Sequence, residues 1–138
     1  MEKLDAHTDN QIRDILSSSK TIAVVGISTN PEKPAHYSKY LQSKGYDIIP
    51  INPNAEQILG KQCLKDVKDV KEAIDVVQIF RPSDQVLPFV KNALLKNPKM
   101  IWLQKGIHNA QAEELALEKG IDIVFNRCMF EEHRRLFD

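Results

Sequence analysis

The stretch Thr21-Ile22-Ala23-Val24-Val25-Gly26-Ile27-Ser28 decides how this chain folds. Its apolar residues run on without alternating, which marks a strand buried on both faces. Gly26 breaks the run where the backbone must turn sharply or pass close to another group. Outward from this point the pattern repeats. Tyr37 to Gly45 reads as a helix closed by a glycine, and Tyr46 to Ile51 as a second strand. Pro50 marks an edge or terminal position in that strand, because proline cannot donate to a ladder. Ile74 to Phe80 is a further strand. A helix from Ser83 or Asp84, either of which can cap it, runs to Lys96 with Val86, Phe89, Val90 and Leu94 on its apolar face. Pro88 falls in its first turns, where a missing amide is tolerated. Met100 to Leu103 is a strand, Ala110 to Lys119 a helix stopped by Gly120, Ile121 to Phe125 the last strand, and Phe130 to Leu136 a closing helix. Residues 54–71 are the least patterned, with a short strand expected near Lys61 to Cys63.

Ahead of the repeat, Thr8 to Ser18 forms a helix. Thr8 caps it with Gln11 as reciprocal partner, and Ile12, Ile15 and Leu16 share one face. This helix is an add-on to the repeating core of residues 20–136, and a candidate contact for a second copy or a larger complex. Strands and helices that alternate through short links predict a single α/β domain over residues 1–138. Its architecture is a doubly wound, mainly parallel sheet with helices on both faces, in three layers, α/β/α.

Composition narrows the function. Nineteen basic residues offset 19 acidic ones over 138 residues. That balance argues against a general nucleic-acid or membrane-surface binder, yet leaves room for a small local anion site. Cys63 and Cys128 are far apart and form no metal-like pair, which points to reduced thiols in an intracellular protein. The charged start, Met1-Glu2-Lys3-Leu4-Asp5, is unlike a signal peptide, and no apolar run reaches membrane-spanning length. A cytoplasmic location is expected.

In doubly wound sheets, ligands bind beyond the carboxyl ends of the strands. The loop after the first strand reads Gly26-Ile27-Ser28-Thr29-Asn30-Pro31-Glu32-Lys33-Pro34. Free amides from Gly26 to Thr29, the next helix N-terminus and Lys33 can cradle a pyrophosphate; a tight strand-to-helix turn is the plainer alternative. A nicotinamide fingerprint would need glycines at Ser28 and Pro31, and an acid where Asn52-Pro53 ends the second strand, so NAD is excluded. In Phe80-Arg81-Pro82-Ser83-Asp84, Arg81 is placed either to reach a phosphate or to pair with Asp84. Gln104, Lys105 and Gly106 come to the same edge, with Trp102 expected in the core. Cys128 follows the last strand, as a small buried side chain or as a thiol facing the cleft. His36 and His133 have no partner whose spacing makes a nucleophile–base pair, and no catalytic or metal-ligating constellation is recognised.

Taken in order, several segments resemble the small stand-alone CoA-binding proteins, akin to the N-terminal domain of the succinyl-CoA synthetase α subunit. They are Val24-Val25-Gly26-Ile27-Ser28 with Pro31, Tyr40-Leu41 with Gly45-Tyr46, and Ile49-Pro50-Ile51-Asn52-Pro53. They continue with residues 75–81, Ile101-Trp102-Leu103-Gln104-Lys105-Gly106 and Asn126-Arg127-Cys128. The resemblance implies a Rossmann-like domain that binds coenzyme A or an acyl-CoA as a carrier, sensor or regulatory module. It implies the nucleotide and its phosphates over Gly26, Ile27 and Ser28 with Lys33 nearby, and Asn52 and Pro53 lining the nucleotide. Phe80, Arg81 and Pro82 would flank the middle of the ligand, and Gln104 and Cys128 its pantetheine side. Lys33 stands where the family favours arginine, which substitutes a point charge for a two-pronged phosphate contact. The resemblance does not extend to the synthetase's phosphorylated-histidine domain, so binding is expected ahead of ligase chemistry. The alternative is an enzyme or ligase subunit using CoA thiol or acyl chemistry through Cys128.

Overall fold

Five short apolar segments pair into one parallel sheet: β1 (Thr21–Val25), β2 (Asp47–Ile51), β5 (Val76–Ile79), β6 (Met100–Leu103) and β7 (Asp122–Val124). The computed structural model describes residues 5–28, 30 and 37–137. The strands lie in the order β2-β1-β5-β6-β7, and every pairing is parallel. The chain therefore builds outward from β1 to β2, then returns past β1 to start β5 on its other side. Strand order reverses between β1 and β5, and their carboxyl ends carry Gly26 and Phe80-Arg81.

Alternate residues of each strand feed two separate cores. Ala23, Val25, Val77, Ile79, Ile101, Leu103 and Ile123 face α3 (Val86–Leu94) and α4 (Ala110–Glu118). Ile22, Val24, Ile48, Val76, Met100, Trp102 and Val124 face α1 (Asp9–Ser18), α2 (Ser38–Ser43) and α5 (Met129–Phe137). Each fully buried Val, Leu or Ile contributes roughly 1.5–3 kcal/mol, so burial on both sides explains why the strands show no polar face. The result is the expected three-layer, doubly wound α/β fold.

The local signals act largely as the sequence suggests. Thr8 and Gln11 form the reciprocal cap of α1, Gln11 N–H to Thr8 at 3.2 Å and Thr8 N–H to Gln11 at 2.8 Å. The apolar face of this helix is spent within the chain, because Ile12 and Leu16 are buried in the second core. Pro50 sits on the edge strand β2. Its carbonyl faces outward and accepts from Leu64 N–H at 3.0 Å, so its missing N–H falls on the side where the sheet needs none.

One local expectation is corrected. Ser83 and Asp84 do not cap α3: Ser83–Gln85 form a 3-10 turn, and α3 starts at Val86 with no side-chain hydrogen bond at its N-cap. The Ser83 hydroxyl instead accepts from His108 N–H at 3.0 Å, a tertiary partner that wins over the local amides. The short strand near Lys61 is one arm of a hairpin, β3 (Gln57–Ile58) with β4 (Lys61–Gln62), joined by Leu59 and Gly60 at positive φ. Beyond it, Leu64 bridges to Ile51 and so brings Lys65 to the carboxyl end of β2.

Candidate functional site

Gly26 leaves β1 at φ +84°, beside the loop that leaves β5. A Cβ there would lie 2.7 Å from the Phe80 carbonyl oxygen and 3.3 Å from Arg81 Cδ, so glycine lets the two loops close on each other. The Gly26 amide, expected to be free for a phosphate, is not: it donates to the Ile51 carbonyl at 3.1 Å and extends the β1–β2 ladder.

Two clefts open over this junction. The larger, about 670 Å³, is lined by Gly26, Ser28, Tyr37, Phe80, Arg81, Pro82, Gln104, Lys105, Ile107, Cys128 and Glu131. The smaller, about 360 Å³, runs over Ile27, Asn52, Pro53, Asn54, Lys65 and Phe89, and shares Gly26, Ser28 and Arg81 with the first. Combined, they occupy the crevice where a doubly wound sheet takes its ligands.

The sequence-derived residues divide between them. Gly26, Ser28, Phe80, Arg81, Pro82, Gln104 and Cys128 meet in the larger cleft, and Asn52 and Pro53 in the smaller. Ile27 is fully buried in the second core, under the smaller cleft. Asn52 clasps two loops, its amide donating to the Ile27 carbonyl at 2.8 Å and its oxygen accepting from Asn54 N–H at 2.8 Å. Thr29, Pro31, Lys33 and His36 lie outside the described residues. As cleft residues, Tyr37, Ile107, Glu131, Lys65 and Phe89 were not singled out by the sequence. Tyr37 stacks on Phe130 with ring centroids 4.6 Å apart, a contact between α5 and the residue ahead of α2 that no local pattern signals.

Arg81 borders both clefts. Among the described residues it pairs with neither Asp84 nor any other acid: its Nη2 donates to Gln85 at 3.0 Å, and its guanidinium lies 5.4 Å from the Phe89 ring centroid. Its Nε–H is buried with no acceptor among the described residues. The guanidinium is thus held there by neutral contacts, with no described carboxylate against its charge.

The far wall is braced across loops. Asn126, at φ 54°, accepts the Gly106 N–H at 2.7 Å and donates its own N–H to the Ile107 carbonyl at 3.0 Å. Trp102, fully buried as expected, donates to the Arg127 carbonyl at 2.8 Å. Lys105 and Glu131 form an exposed ion pair at 3.5 Å. Cys128 is buried, and that burial pushes its thiol above the ordinary range; the Glu131 charge adds to this, against hydrogen bonds from Gln104 and nearby backbone. Neither Cys128 nor Cys63 is in a disulfide. His133 Nδ1 meets the Tyr40 hydroxyl at 3.0 Å, and its ring stacks on Phe137. Among the described residues no helix is long and apolar enough to cross a membrane.

Similarity to other proteins follows the same geometry. An uncharacterised protein of Bacillus subtilis, YneT, is 36% identical over 124 residues, covering 89% of this chain and 92% of its own. A solved structure of a hypothetical protein from Pyrococcus horikoshii OT3 superposes with a TM-score of 0.94 at 40% identity, over 100% of this chain and 98% of that one. The ADP-forming acetate–CoA ligase of Methanocaldococcus jannaschii is 35% identical over 69 residues, which is 49% of this chain but only 10% of the ligase. The model of the CoA binding domain matches residues 20–134, from the residue before β1 into α5 and across every loop that lines the two clefts. With a sheet whose strand order reverses at Gly26 and clefts built on that reversal, the chain belongs to the CoA-binding domain family.

Proposed function

We propose that this protein binds coenzyme A or an acyl-CoA across the carboxyl ends of β1, β5 and β6, and acts as a carrier, sensor or regulatory module. The observation that carries the reading is Arg81. It stands at the strand-order reversal, on both clefts, and among the described residues its charge meets no carboxylate and its Nε–H no acceptor. A phosphate-bearing ligand supplies what that guanidinium lacks. Lys65 adds a second cation on the smaller cleft, where Asn52 and Pro53 form a wall for the nucleotide. The larger cleft runs from Arg81 to Gln104 and Cys128, and its mixture of apolar walls with a few fixed polar groups suits the pantetheine arm. Lys33 belongs to this reading as a further phosphate contact. A role for Cys128 as a nucleophile is disfavoured, because burial holds its thiol protonated near neutral pH.

Thermal unfolding with and without ligand tests the proposal. CoA at about a hundred times its dissociation constant adds about 2.7 kcal/mol of stability, or a rise on the order of 10 °C in Tm. NAD at the same concentration is expected to give none. A shift with NAD and none with CoA would overturn the reading.

A further inference from the structure

Gln78 on β5 and Gln104 after β6 lie side by side, 2% and 4% exposed. Their amides have only one self-consistent orientation. The backbone N–H of Met129 faces Gln104 at 3.3 Å; a backbone N–H can only donate, so the atom it meets must be the carbonyl oxygen Oε1. Gln78 Nε2 donates to that same oxygen at 3.2 Å. Turning Gln78 over would set two carbonyl oxygens against each other. It keeps this sense although its own Oε1 is left buried without a partner.

With its oxygen taken twice, Gln104 has its Nε2 amide left, a pair of donors in a fixed plane. Gln104 lines the larger cleft beside Cys128. A neutral amide donor held this way recognises a carbonyl oxygen. A thiol or thioether sulfur is a poor acceptor by comparison. At the reactive end of the ligand, an acyl-CoA carries one such oxygen, in its thioester, and free CoA carries none.

We propose that Gln104, oriented by Met129 and Gln78, reads the thioester carbonyl of an acyl-CoA, so that the site prefers acylated over free coenzyme. This rests on the CoA reading above and names the form of the ligand. Cys128 supplies a small uncharged wall next to that donor. Lys105 and Glu131 close the rim of the same cleft by pairing with each other.

Calorimetric titration with CoA, acetyl-CoA and S-ethyl-CoA tests this, since S-ethyl-CoA matches acetyl-CoA in chain length and lacks only the carbonyl oxygen. The wild-type protein is expected to bind acetyl-CoA about 3- to 10-fold more tightly than S-ethyl-CoA, the span of one net hydrogen bond. In Gln104→Glu the carboxylate still accepts from Met129 and Gln78 but presents an oxygen where the amide stood, and the ratio is expected to fall to about one. Equal affinities in the wild type overturn the inference whatever the variant does. That is also the outcome if Gln104 meets an amide carbonyl of the pantetheine arm, which all three ligands share. An unchanged ratio in the variant overturns it too. If none of the three binds, the CoA reading falls and takes this inference with it; if all bind equally, only this inference falls.

Discussion

Gly26 combines two demands that no other residue type meets together. Its φ of +84° disfavours any side chain, and the space a Cβ would need is already occupied by the Phe80 carbonyl. An L-residue held in that region costs on the order of 1–3 kcal/mol before any clash is counted. Gly26→Ala is therefore expected to lower Tm by at least several degrees and to weaken ligand binding, because the β1 and β5 loops must part to admit the methyl. Scanning calorimetry and titration of the variant check this, and an unchanged Tm would show that the loops do not meet as described. The glycine itself was legible in the sequence, as the break after a continuous apolar run. Its partner was not, because the Phe80 carbonyl approaches from 54 residues away. Arg81 shows the same division: its place at a strand end was readable, but its contacts with Gln85 and Phe89 depend on the 3-10 turn that delays the start of α3.

At the scale of elements, the segment ahead of α1 clasps the loop that delivers Cys128. The Asp5 carboxylate accepts from the Phe125 N–H at 3.0 Å and from Arg127 Nε at 3.1 Å, while Arg127 donates to the His7 carbonyl at 2.6 Å and pairs with Glu132. His7 is held between two carboxylates, Nδ1 at 2.9 Å from Asp5 and Nε2 at 2.9 Å from Asp122. Only the imidazolium donates from both nitrogens. The hydrogen bond to Asp5 raises the His7 pKa above its ordinary 6.5, helped by Asp122 and opposed by burial. For Asp5 burial pulls upward, but hydrogen bonds from His7 and Phe125 outweigh it and hold the carboxyl below its ordinary 3.8. The signs follow from linkage. His7 contributes stability fully below its unfolded pKa and loses it as pH rises through the raised folded value; Asp5 contributes above its unfolded pKa and loses it as pH falls through the depressed one. The clasp is thus strongest between about pH 4 and 6.5. The Tm difference between the wild type and His7→Gln is expected to peak there and shrink as pH rises through the raised folded value of His7. A difference that stays constant over that range would show that His7 is not protonated in the clasp.

The whole molecule sets its candidate site at the reversal of strand order, so a ligand bound there would draw on segments scattered along the chain. Hydrogen exchange reads that scale directly. Added CoA is expected to slow exchange in residues 26–28, 52–54, 80–82, 104–107 and 128–131 together, while the hairpin β3–β4 keeps its rate. Protection confined to the outer faces of α3 and α4 would place the ligand elsewhere. Without ligand, β1, β5 and β6 should exchange most slowly, being flanked by strands on both sides, and the edge strand β2 sooner. The hairpin was half legible at this scale: the strand near Lys61 was expected, its partner Gln57–Ile58 and the turn between them were not. Leu59 at φ 55° is not a turn signal, and each arm is only two residues long, too short for any periodicity.

What the sequence by itself determined was local. Continuous apolar runs made the strands, the Thr8–Gln11 pair started α1, and Gly26 marked the loop on which the site is built. These properties rest on sterics, capping and burial periodicity, which act within a few residues. Only the tertiary structure decided which strands became neighbours, and with that the rest followed. It set Gln78 against Gln104, turned both by one backbone N–H from Met129, took up the Gly26 amide in the ladder, and gave Arg81 the neutral side chain of Gln85. Those contacts join residues 25 or more positions apart in three of the four cases. A hydrogen bond across such a distance depends on strand order, which no local pattern encodes.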